Sequence, residues 1–572
     1  MLLSDYIEQF LYSNGVDTVF EMIGGMSVRI IDSIYKSGRI RIISAHHEQG
    51  AAFAACGWAK SKGIPGVAIS TSGPGATNLI TGIATSYFDS IPVVFITGQV
   101  NQNELSHSMG IRQLGFQETD IVSIVSPITK YAVQLESASD ITKLLPRAFE
   151  IANHGRKGPV LLDIPMNLQK EEIQHTKRDK TPSICDMNLS PQVIQTYEGT
   201  INRLNIEIAQ SQRPLFLIGG GVVQSNTKEI MRAIISKSTI PAVFSLHGKE
   251  VLETDSNLSV GLIGTYGNRW ANIALYESDL LIVVGSRLDI RQTGADTKSF
   301  KDGKRIIQID IDKNEIGVRI ATEMSCCANL NDILPLLYDR IQTYDNASKW
   351  VHYIKILKNK FKDDKELSGI NGINPNYFLK QLGLIKAHDI QGYVTDVGAN
   401  QIWTAQSIPI SGKQFFYTSG GMGAMGYALP VAIGATLANI DEDKAVVAIA
   451  GDGGIQCNIQ ELELLYRLKL PIKLIILNNI SLGMVKQFQD ELCSSRYPGT
   501  VVTYGAPNFL KIAEAYNIPA LTISQESDIG NGLNWLFATM GPSILEVSID
   551  IDTGIYPKMQ FGHKLNDMFP YI

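Results

Sequence analysis

The chain has 572 residues, a length that predicts three domains of ordinary size rather than one core. Its 44% hydrophobic and 19% charged residues are typical of a water-soluble globular protein. A net charge of −6 without a basic tract argues against nucleic acid or an anionic membrane surface as a partner. The apolar runs have strand length, far below the roughly 20 residues that cross a bilayer.

The cysteines and the start of the chain indicate the compartment. The six cysteines are scattered and show neither CxxC nor zinc-type spacing, which favours a reducing cytosol. The first stretch, MLLSDYIEQFLYSNGV, has apolar residues at helical spacing and lacks a basic region and a cleavage site. We therefore expect a helix of the fold, no targeting peptide and a cytoplasmic location.

The first third of the chain alternates predicted strands and helices. A strand, VDTVFEMIGG, ends in a turn that contains Gly25. The stretch IRIISAHHEQGAAFAACGWAKSKG then predicts a strand, a polar turn and a small-residue helix that starts near Glu48. Without further information, Glu48 is also interpretable as an acid stabilised by the positive end of a helix dipole.

The alternation continues to the end of the first domain, which we place at residues 1–170. The next strand, turn and helix lead to Asn78, and a strand IPVVFITGQV contains Gln99. One explanation for these two polar residues is hydrogen bonding in a turn, for Asn78, and at a strand end, for Gln99. The segment IRQLGFQETDIV follows, and KGPVLLDIPMNLQ predicts the last strand before a polar linker from about 170 to 192.

The middle third, residues 192–345, has a Rossmann-like rhythm of strands and loops. RPLFLIGGGVV ends in three glycines but lacks the complete G-x-G-x-x-G, so a dinucleotide turn and a plain tight turn both remain open. DLLIVVGSRLDIRQTG and RIIQIDID follow. The charged stretch KNKFKDDKELSGINGINP then predicts a linker, interpreted as a solvated helix and loop.

The last domain, placed at residues 372–555 before a tail of 556–572, holds the most informative stretch. VVAIAGDGGIQCNIQELELLYRLKLPIKLIILNN predicts strand, helix and strand, with Asp452 after the first strand and Asn479 after the second. Carboxylate and amide oxygens suit Mg²⁺, which leaves its other positions to water and phosphate. Gly453 and Gly454 would let the backbone approach phosphate oxygens. An ordinary βαβ crossover with a polar turn is the alternative.

These motifs resemble a known family. GDG followed by NN at this spacing is similar to the thiamine diphosphate (ThDP) enzymes. HHEQGAAFAACGWAK, TSGGMGAMGYALPVAIGA and LNNISLGMV resemble the acetolactate synthase group, and the resemblance runs nearly end to end. It implies an α/β fold of three doubly wound parallel-sheet domains: pyrimidine-binding, central FAD-type and diphosphate-binding. The tail would lie over the active site.

The resemblance also implies roles for individual residues. Glu48 would activate the cofactor by a hydrogen bond to its pyrimidine ring, and Met425 would wedge the cofactor into a bent shape. The substrates would face Phe116, Gln117 and Gly25. Other implied ThDP contacts are Asn78, Gln99, Gly398, Asn400, Gly423, Gly453, Gly454 and Met484. Asp452, Asn479 and the carbonyl of Ser481 would hold Mg²⁺, and a non-redox FAD would contact Arg156, Gly220, Gly221, Gly285, Arg287 and Asp310.

The sequence departs from the family pattern at several places. Ala399-Asn400 replaces a Gln-His pair, and the Gly-Thr-Asp before the FQE segment is absent. On the acceptor side, implied to include Arg291 and Val485, three residues differ. Met166 replaces Lys, Phe488 replaces Trp and Ile290 replaces Asp. Neutral drift is the plain explanation of these differences.

The functional expectation is a carboligase that decarboxylates a 2-keto acid, pyruvate, and transfers the two-carbon unit to the carbonyl of an acceptor. The substitutions suggest a large acceptor, a keto-deoxysugar attached to a nucleotide. Alternatives are an acetolactate synthase that condenses two pyruvates, a flavin-dependent pyruvate oxidase, and a non-catalytic paralogue. Because Glu48 and the diphosphate site belong to different chains in the family, the resemblance implies an obligate homodimer, with a homotetramer as a further assembly.

Overall fold

The computed structural model describes residues 1–106, 109–174, 190–367, 369–438, 444–560 and 562–571. Within them, three six-stranded parallel sheets with helices on both faces follow one another along the chain. The expected α/β class with three doubly wound domains is confirmed. Most of the linker expected at 170–192 lies outside the described residues, as does Cys185. The five described cysteines form no disulfide.

The first sheet has the strand order β2-β1-β3-β4-β6-β5. Its strands are β1 (Thr18–Met22), β2 (Arg41–Ser44), β3 (Gly66–Ser70), β4 (Val93–Gln99), β5 (Tyr131–Gln134) and β6 (Val160–Pro165). Its helices are α1 (Leu3–Ser13), α2 (Val28–Ser37), α3 (Glu48–Lys62), α4 (Pro74–Asn78), α5 (Ile80–Phe88), α6 (Ile121–Val125) and α7 (Ile141–Asn153). The central strands β3 and β4 are buried at every residue, as expected for a parallel sheet covered on both faces.

The second sheet has the order β12-β11-β10-β7-β8-β9. Its strands are β7 (Pro214–Ile218), β8 (Ala242–Phe244), β9 (Ser259–Leu262), β10 (Leu280–Val284), β11 (Arg305–Asp310) and β12 (Met324–Cys327). Its helices are α8 (Pro191–Ala209), α9 (Gly220–Gln224), α10 (Lys228–Ser238), α11 (Arg269–Glu277), α12 (Ile290–Thr293), α13 (Thr297–Lys301), α14 (Leu330–Arg340) and α15 (Ala347–Lys360). Ser190 caps α8, and Pro191 occupies its first turn.

Two expectations about the end of the central domain are wrong. Trp350, Ile354 and Leu357 of α15 pack into the core on one face of the second sheet, so this domain continues past residue 345. The charged linker is not simply solvated either. Glu366 is 7% exposed and forms a buried ion pair with Arg269 at 2.7 Å. A buried charge requires a partner of opposite charge. The composition of the linker does not predict that Arg269 provides this partner.

The third sheet has the order β14-β13-β15-β16-β18-β17. Its strands are β13 (Ile390–Thr395), β14 (Phe415–Tyr417), β15 (Ala445–Gly451), β16 (Ile472–Asn478), β17 (Ala520–Ile523) and β18 (Ser543–Ser548), and the tail forms the antiparallel pair β19 (Lys558–Met559) and β20 (Met568–Phe569). Its helices are α16 (Pro375–Ile385), α17 (Ala399–Ser407), α18 (Ala428–Ala438), α19 (Asp452–Gln456), α20 (Leu462–Leu468), α21 (Gly483–Leu492), α22 (Phe509–Ala515) and α23 (Ile529–Ala538).

The first and third domains share one continuous core. Within this core, α3 of the first domain packs against α18 of the third. The two helices approach so closely that only glycine fits at two positions of the contact. A Cβ on Gly57 would lie 2.1 Å from the Val431 carbonyl oxygen, and one on Gly434 would lie 1.8 Å from that of Ala54. The other face of the third sheet packs with the central domain. In the described part of the chain, we find no helix with the length and apolarity of a membrane span.

Candidate active site

The two strand ends that the sequence singles out lie side by side in the third sheet. Gly451, the last residue of β15, is paired with Leu477 near the end of β16. Asp452 therefore begins α19 next to the turn that follows Asn478. Its side chain is buried, and Tyr504 donates a hydrogen bond to its Oδ2 at 2.7 Å. Burial raises the pKa of Asp452 to about 6, against the opposing effect of the Tyr504 hydroxyl.

Three oxygen donors converge at this edge. The side-chain amide atom of Asn479 that faces Asp452 lies 3.2 Å from its Oδ1 and 2.8 Å from the main-chain carbonyl oxygen of Ser481. When that atom is the amide oxygen, three oxygens face one another. Turning the amide over would replace this arrangement with hydrogen bonds. A cation is the partner that would favour the arrangement with three oxygens.

The spacing of these oxygens suits an octahedral cation. Mg²⁺ binds oxygen at about 2.0–2.1 Å, so neighbouring oxygens in its shell lie about 3 Å apart. The two measured separations, 2.8 and 3.2 Å, bracket this value. Across the described residues, no group of three or more His, Cys, Asp and Glu side chains forms an alternative metal centre. A cation here would thus be bound by one carboxylate, one amide and one carbonyl.

The glycines beside Asp452 allow close packing that a side chain would prevent. A Cβ on Gly453 would lie 2.5 Å from Leu482 Cδ2 and 3.3 Å from Met425 Cε. A Cβ on Gly454 would lie 2.5 Å from Asp396 Oδ1. Both positions therefore require glycine, because the main chain packs directly against Leu482 and Asp396.

The predicted contacts around α17 and the following loop also lie at this edge. Gly398 has a φ of +135°, which places it in a region that favours glycine. Asn400 is 4% exposed, and its Oδ1 has no hydrogen-bond partner among the described residues. Gly423 has a φ of +67°, and Met425 remains 36% exposed beyond it. A buried, unsatisfied amide beside an exposed apolar side chain is typical of a ligand-binding cleft.

In the first domain, Glu48 and Asn78 are in direct contact. Glu48 is the first residue of α3 and is only 6% exposed. Asn78, at the end of α4, donates its Nδ2–H to Glu48 Oε2 at 2.9 Å. A Cβ on Gly75 would lie 3.2 Å from Glu48 Oε1. The second carboxylate oxygen thus lies close to the main chain of Gly75.

The substrate-facing residues of the sequence prediction are exposed at the same side of the first domain. Phe116 is 79% exposed, and Gln117 adopts a positive φ of +66°. Gly73 packs against Gln117, whose Cβ would lie 2.9 Å from a Cβ on that glycine. Gly25 is exposed, and no atom lies within 4 Å of its Cβ position. An exposed phenylalanine beside a strained residue indicates a surface that another molecule or chain covers.

Comparisons with known proteins agree with this geometry. Three family models of thiamine pyrophosphate (ThDP) enzymes match the chain. They are the N-terminal TPP binding domain at residues 1–124, the central domain at 201–337 and the C-terminal TPP binding domain at 396–547. The acetolactate synthase isozyme 2 large subunit of Escherichia coli is 34% identical over 99% of this chain and 98% of its own. The acetolactate synthase large subunit of Lactococcus lactis is 35% identical over 99% and 95%. The tobacco protein, acetolactate synthase 2, chloroplastic, is 34% identical over 99% and 84%.

The chain belongs to the ThDP-dependent acetolactate synthase family. It is an enzyme of decarboxylation and carbon–carbon bond formation, and its cofactor is ThDP. The resemblance inferred from the sequence motifs is confirmed, since the matches cover 99% of the chain.

A cavity of about 1020 Å³ lies where all three domains of this ThDP enzyme meet. Its lining includes all six residues predicted to contact a flavin, namely Arg156, Gly220, Gly221, Gly285, Arg287 and Asp310. The glycines are needed because the ends of β7 and β10 touch: a Cβ on Gly221 would lie 2.8 Å from Gly285 Cα. Burial raises the pKa of Asp310. The volume is at the upper end of the roughly 300–1,000 Å³ of small-ligand pockets.

Two predicted cofactor contacts have other partners in the chain. Arg156 lines the cavity, but its Nη1 donates to Asp312 at 3.0 Å and to Glu315 at 3.1 Å, so it ties the first domain to the central one. Gln99 is 1% exposed and donates its Nε2–H to Asp163 and to the Thr119 carbonyl. Its side chain is satisfied inside the first domain, which leaves it a supporting position behind the cleft.

The acceptor-side residues of the ThDP enzyme are spread over separate elements. Arg291 on α12 is exposed and lines the central cavity, and Ile290 beside it is 61% exposed. Val485 and Phe488 are exposed on α21, one turn apart, while Met484 is half-buried behind them. Met166 follows β6 in the first domain. One chain does not join these residues into a single pocket.

The described part of the tail packs beside α21. Met559 donates its N–H to the Thr265 carbonyl at 2.7 Å, and Lys558 Nζ lies 5.0 Å from the centre of the Phe488 ring. Lys558 also forms an ion pair with Glu491 of α21. The tail thus brings a cation to the predicted acceptor side, a feature that motif comparison did not reveal.

Three acidic residues near the site were not among the predicted site residues: Asp89, Asp396 and Glu461. Each accepts hydrogen bonds from the backbone of a predicted site segment. Asp396 accepts the N–H groups of Gly426 and Ala428 at 3.0 Å, and burial raises its pKa to about 6. These carboxylates act through hydrogen bonds to other segments of the chain, and a single sequence does not predict such contacts.

Proposed function

We propose that the chain catalyses the condensation of two pyruvates into 2-acetolactate with release of one CO₂, which consumes one proton. The convergence of Asp452, Asn479 and the Ser481 carbonyl at a ThDP diphosphate edge carries this proposal. The relatives that match nearly the full chain are acetolactate synthases, which favours pyruvate as both donor and acceptor. They favour it over the nucleotide-linked sugar that the three substitutions suggested.

Mg²⁺ is the cation that we propose for the three-oxygen site. Asp452, Asn479 and Ser481 would supply three positions of an octahedral shell and leave three for water and the diphosphate. Because burial raises the pKa of Asp452 to about 6, protons would compete with a cation for this carboxylate below about pH 6.

Bound ThDP supplies a carbon nucleophile and a store for the electrons released on decarboxylation. The protein's residues bind, orient and exclude water around it. Glu48 holds a carboxyl group in a nearly dry position, oriented by the Asn78 amide, where it can exchange a proton with the pyrimidine ring. Met425 is partly exposed on its loop, where it would supply an apolar contact that holds the bound cofactor in a bent shape.

We propose that the working unit is at least a homodimer, in which Glu48 of one chain meets the diphosphate edge of another. The exposure of apolar residues on both surfaces supports this arrangement. On the first domain Phe116 is 79% exposed, and around the diphosphate edge Ile480 is 58% and Val485 48% exposed. Exposed apolar patches of this kind typically mark interaction surfaces. A homotetramer would use further surfaces of the same chain.

We also propose FAD as the ligand of the central cavity, in a role without net redox change. The glycines that follow β7 and β10 line this cavity with main-chain atoms alone, which is the kind of surface that a pyrophosphate binds. Asp310 at the end of β11 lines the same cavity and offers an acceptor for a ribose hydroxyl. The visible absorption spectrum of the purified protein tests this part directly.

The identity of the molecule that accepts the two-carbon unit distinguishes acetolactate formation from the alternative reactions. Purified protein with ThDP, Mg²⁺ and pyruvate alone should form 2-acetolactate, detected by mass spectrometry, at a turnover of roughly 1–10³ s⁻¹. Glu48→Gln is the control and should abolish it. If CO₂ and acetolactate appear only at trace rates until a keto-deoxysugar nucleotide is added, the larger acceptor is correct. Oxygen or quinone consumption with pyruvate would instead identify an oxidase.

A further inference from the structure

The loop that carries Met425 is fixed at both ends by buried carboxylates. At its C-terminal end, Asp396 of the same domain accepts two backbone N–H groups, as described above. At its N-terminal end, the carboxylate comes from the first domain. Asp89, the residue after α5, accepts the N–H of Gly421 at 2.6 Å and that of Gly420 at 3.3 Å. Between these anchors Met422 and Met425 are exposed.

Asp89 joins all three domains at one point. Its side chain is 1% exposed, and His247 of the central domain places its Nε2 3.1 Å from Asp89 Oδ1. Burial acts to raise the pKa of Asp89, but His247, Lys60 and the Gly421 N–H lower it overall, so the group is an anion. Charge-assisted hydrogen bonds to a buried carboxylate are about twice as strong as neutral ones.

The fit at this joint is close. A Cβ on Gly420 would lie 2.2 Å from His247 Nε2, and one on Gly421 would lie 2.8 Å from Phe88 Cβ. The loop can therefore reach Asp89 only with glycine at both positions. Nothing else in the described structure contacts the N–H groups of these glycines, so Asp89 sets where the loop begins.

We propose that Asp89 is a positioning residue of the ThDP site: it anchors Gly420 and Gly421 so that Met425, four residues further along, stands at the bend of the cofactor. This inference rests on the proposed function. It gives the first domain two separate tasks, since Glu48 is presented by α3 and the loop anchor by the end of α5. A loop displaced by about 1 Å would cost roughly a hundredfold in rate.

Hydrogen exchange of the ligand-free full-length protein tests the anchor itself. In Asp89→Asn, the segment 416–426 should exchange roughly tenfold faster, because an uncharged amide oxygen accepts one of the two N–H groups while its NH₂ faces the other. Asp279→Asn is the matched control. Asp279 also accepts two backbone N–H groups, those of Gln212 and Arg213, but lies in the central domain away from the loop. Unchanged exchange at 416–426 in Asp89→Asn would overturn the inference.

Two further measurements complete the test. With ThDP and Mg²⁺, Asp89→Asn should bind ThDP at full stoichiometry and within about tenfold of the wild-type affinity, but lose roughly a hundredfold in kcat at an unchanged pyruvate KM. A general loss of folding would instead lower the ThDP stoichiometry in proportion to kcat. If Asp89→Asn does not fold, His247→Asn keeps the carboxylate and should raise exchange at 416–426 by about threefold; no rise overturns the proposal. Wild-type protein that fails to bind ThDP would overturn the proposed function, and with it the role assigned to Asp89.

Discussion

Glu461 provides a prediction whose size follows from the structure. This side chain of the third domain is buried at 0% exposure and accepts the N–H of His46 at 3.1 Å, just before the helix that starts at Glu48. A Cβ on Gly50 would lie 2.5 Å from its Oε1, so the carboxyl group reaches α3 only past a glycine. Burial raises the pKa of Glu461 from 4.5 to about 7.

The sign follows from proton binding. Between pH 4.5 and 7 the unfolded chain loses the Glu461 proton while the folded chain keeps it, so the folded state is progressively penalised as pH rises. Each pKa unit corresponds to about 1.4 kcal/mol, so the free energy of unfolding falls by up to ~3 kcal/mol across this window. Glu461→Gln keeps an acceptor for the His46 N–H and removes the titration.

The assay compares urea unfolding of wild type and Glu461→Gln at several pH values from 5 to 8. The variant should gain stability relative to wild type as pH rises, by up to ~3 kcal/mol. Glu463→Gln is the control, because that neighbouring glutamate pairs with Arg467 near the surface and its pKa is lowered. A stability difference between Glu461→Gln and wild type that stays constant over this range would refute the reasoning.

Three further predictions concern the cofactor and acceptor sites. Asp452→Asn should raise the Mg²⁺ concentration for half-maximal ThDP binding at least tenfold, since the only carboxylate of the three-oxygen set is lost; equal titration curves would contradict the metal assignment. Met425→Ala should lower kcat by about tenfold or more with little change in ThDP affinity, whereas the exposed neighbour Met422→Ala should do neither; equal effects of both variants would remove the wedge role. Arg291→Gln should raise the pyruvate KM by about tenfold because a charged hydrogen bond to a carboxylate is lost, and an unchanged KM would place the acceptor elsewhere.

Residues at the ends of predicted strands could be located from the sequence because parallel sheets collect them at one edge. Asp452 and Asn479 follow adjacent buried strands, and the structure brings their side chains together. Glu48 and Asn78 were predicted from motifs, and the structure places them in direct hydrogen-bond contact. Local pattern and chain order sufficed for these positions.

Contacts between distant segments could not be predicted in this way. Asp89 meets Gly421 across 332 positions of the chain, and Glu461 meets His46 across 415. Nothing in the local sequence of Asp89 or Glu461 differs from that of an ordinary surface carboxylate. The same limit explains Glu366, which the sequence placed in a solvated linker and the fold buries against Arg269.

The central claim is that a carboxyl group of one chain and the three-oxygen edge of another form one active site. Co-expression of differently tagged Glu48→Gln and Asp452→Ala chains, each inactive alone, tests it most directly. A mixed dimer contains one site with both residues intact, so random pairing should restore about a quarter of the wild-type rate of acetolactate formation. If the purified mixed dimer stays as inactive as its parents, the site is built within a single chain and the account is wrong.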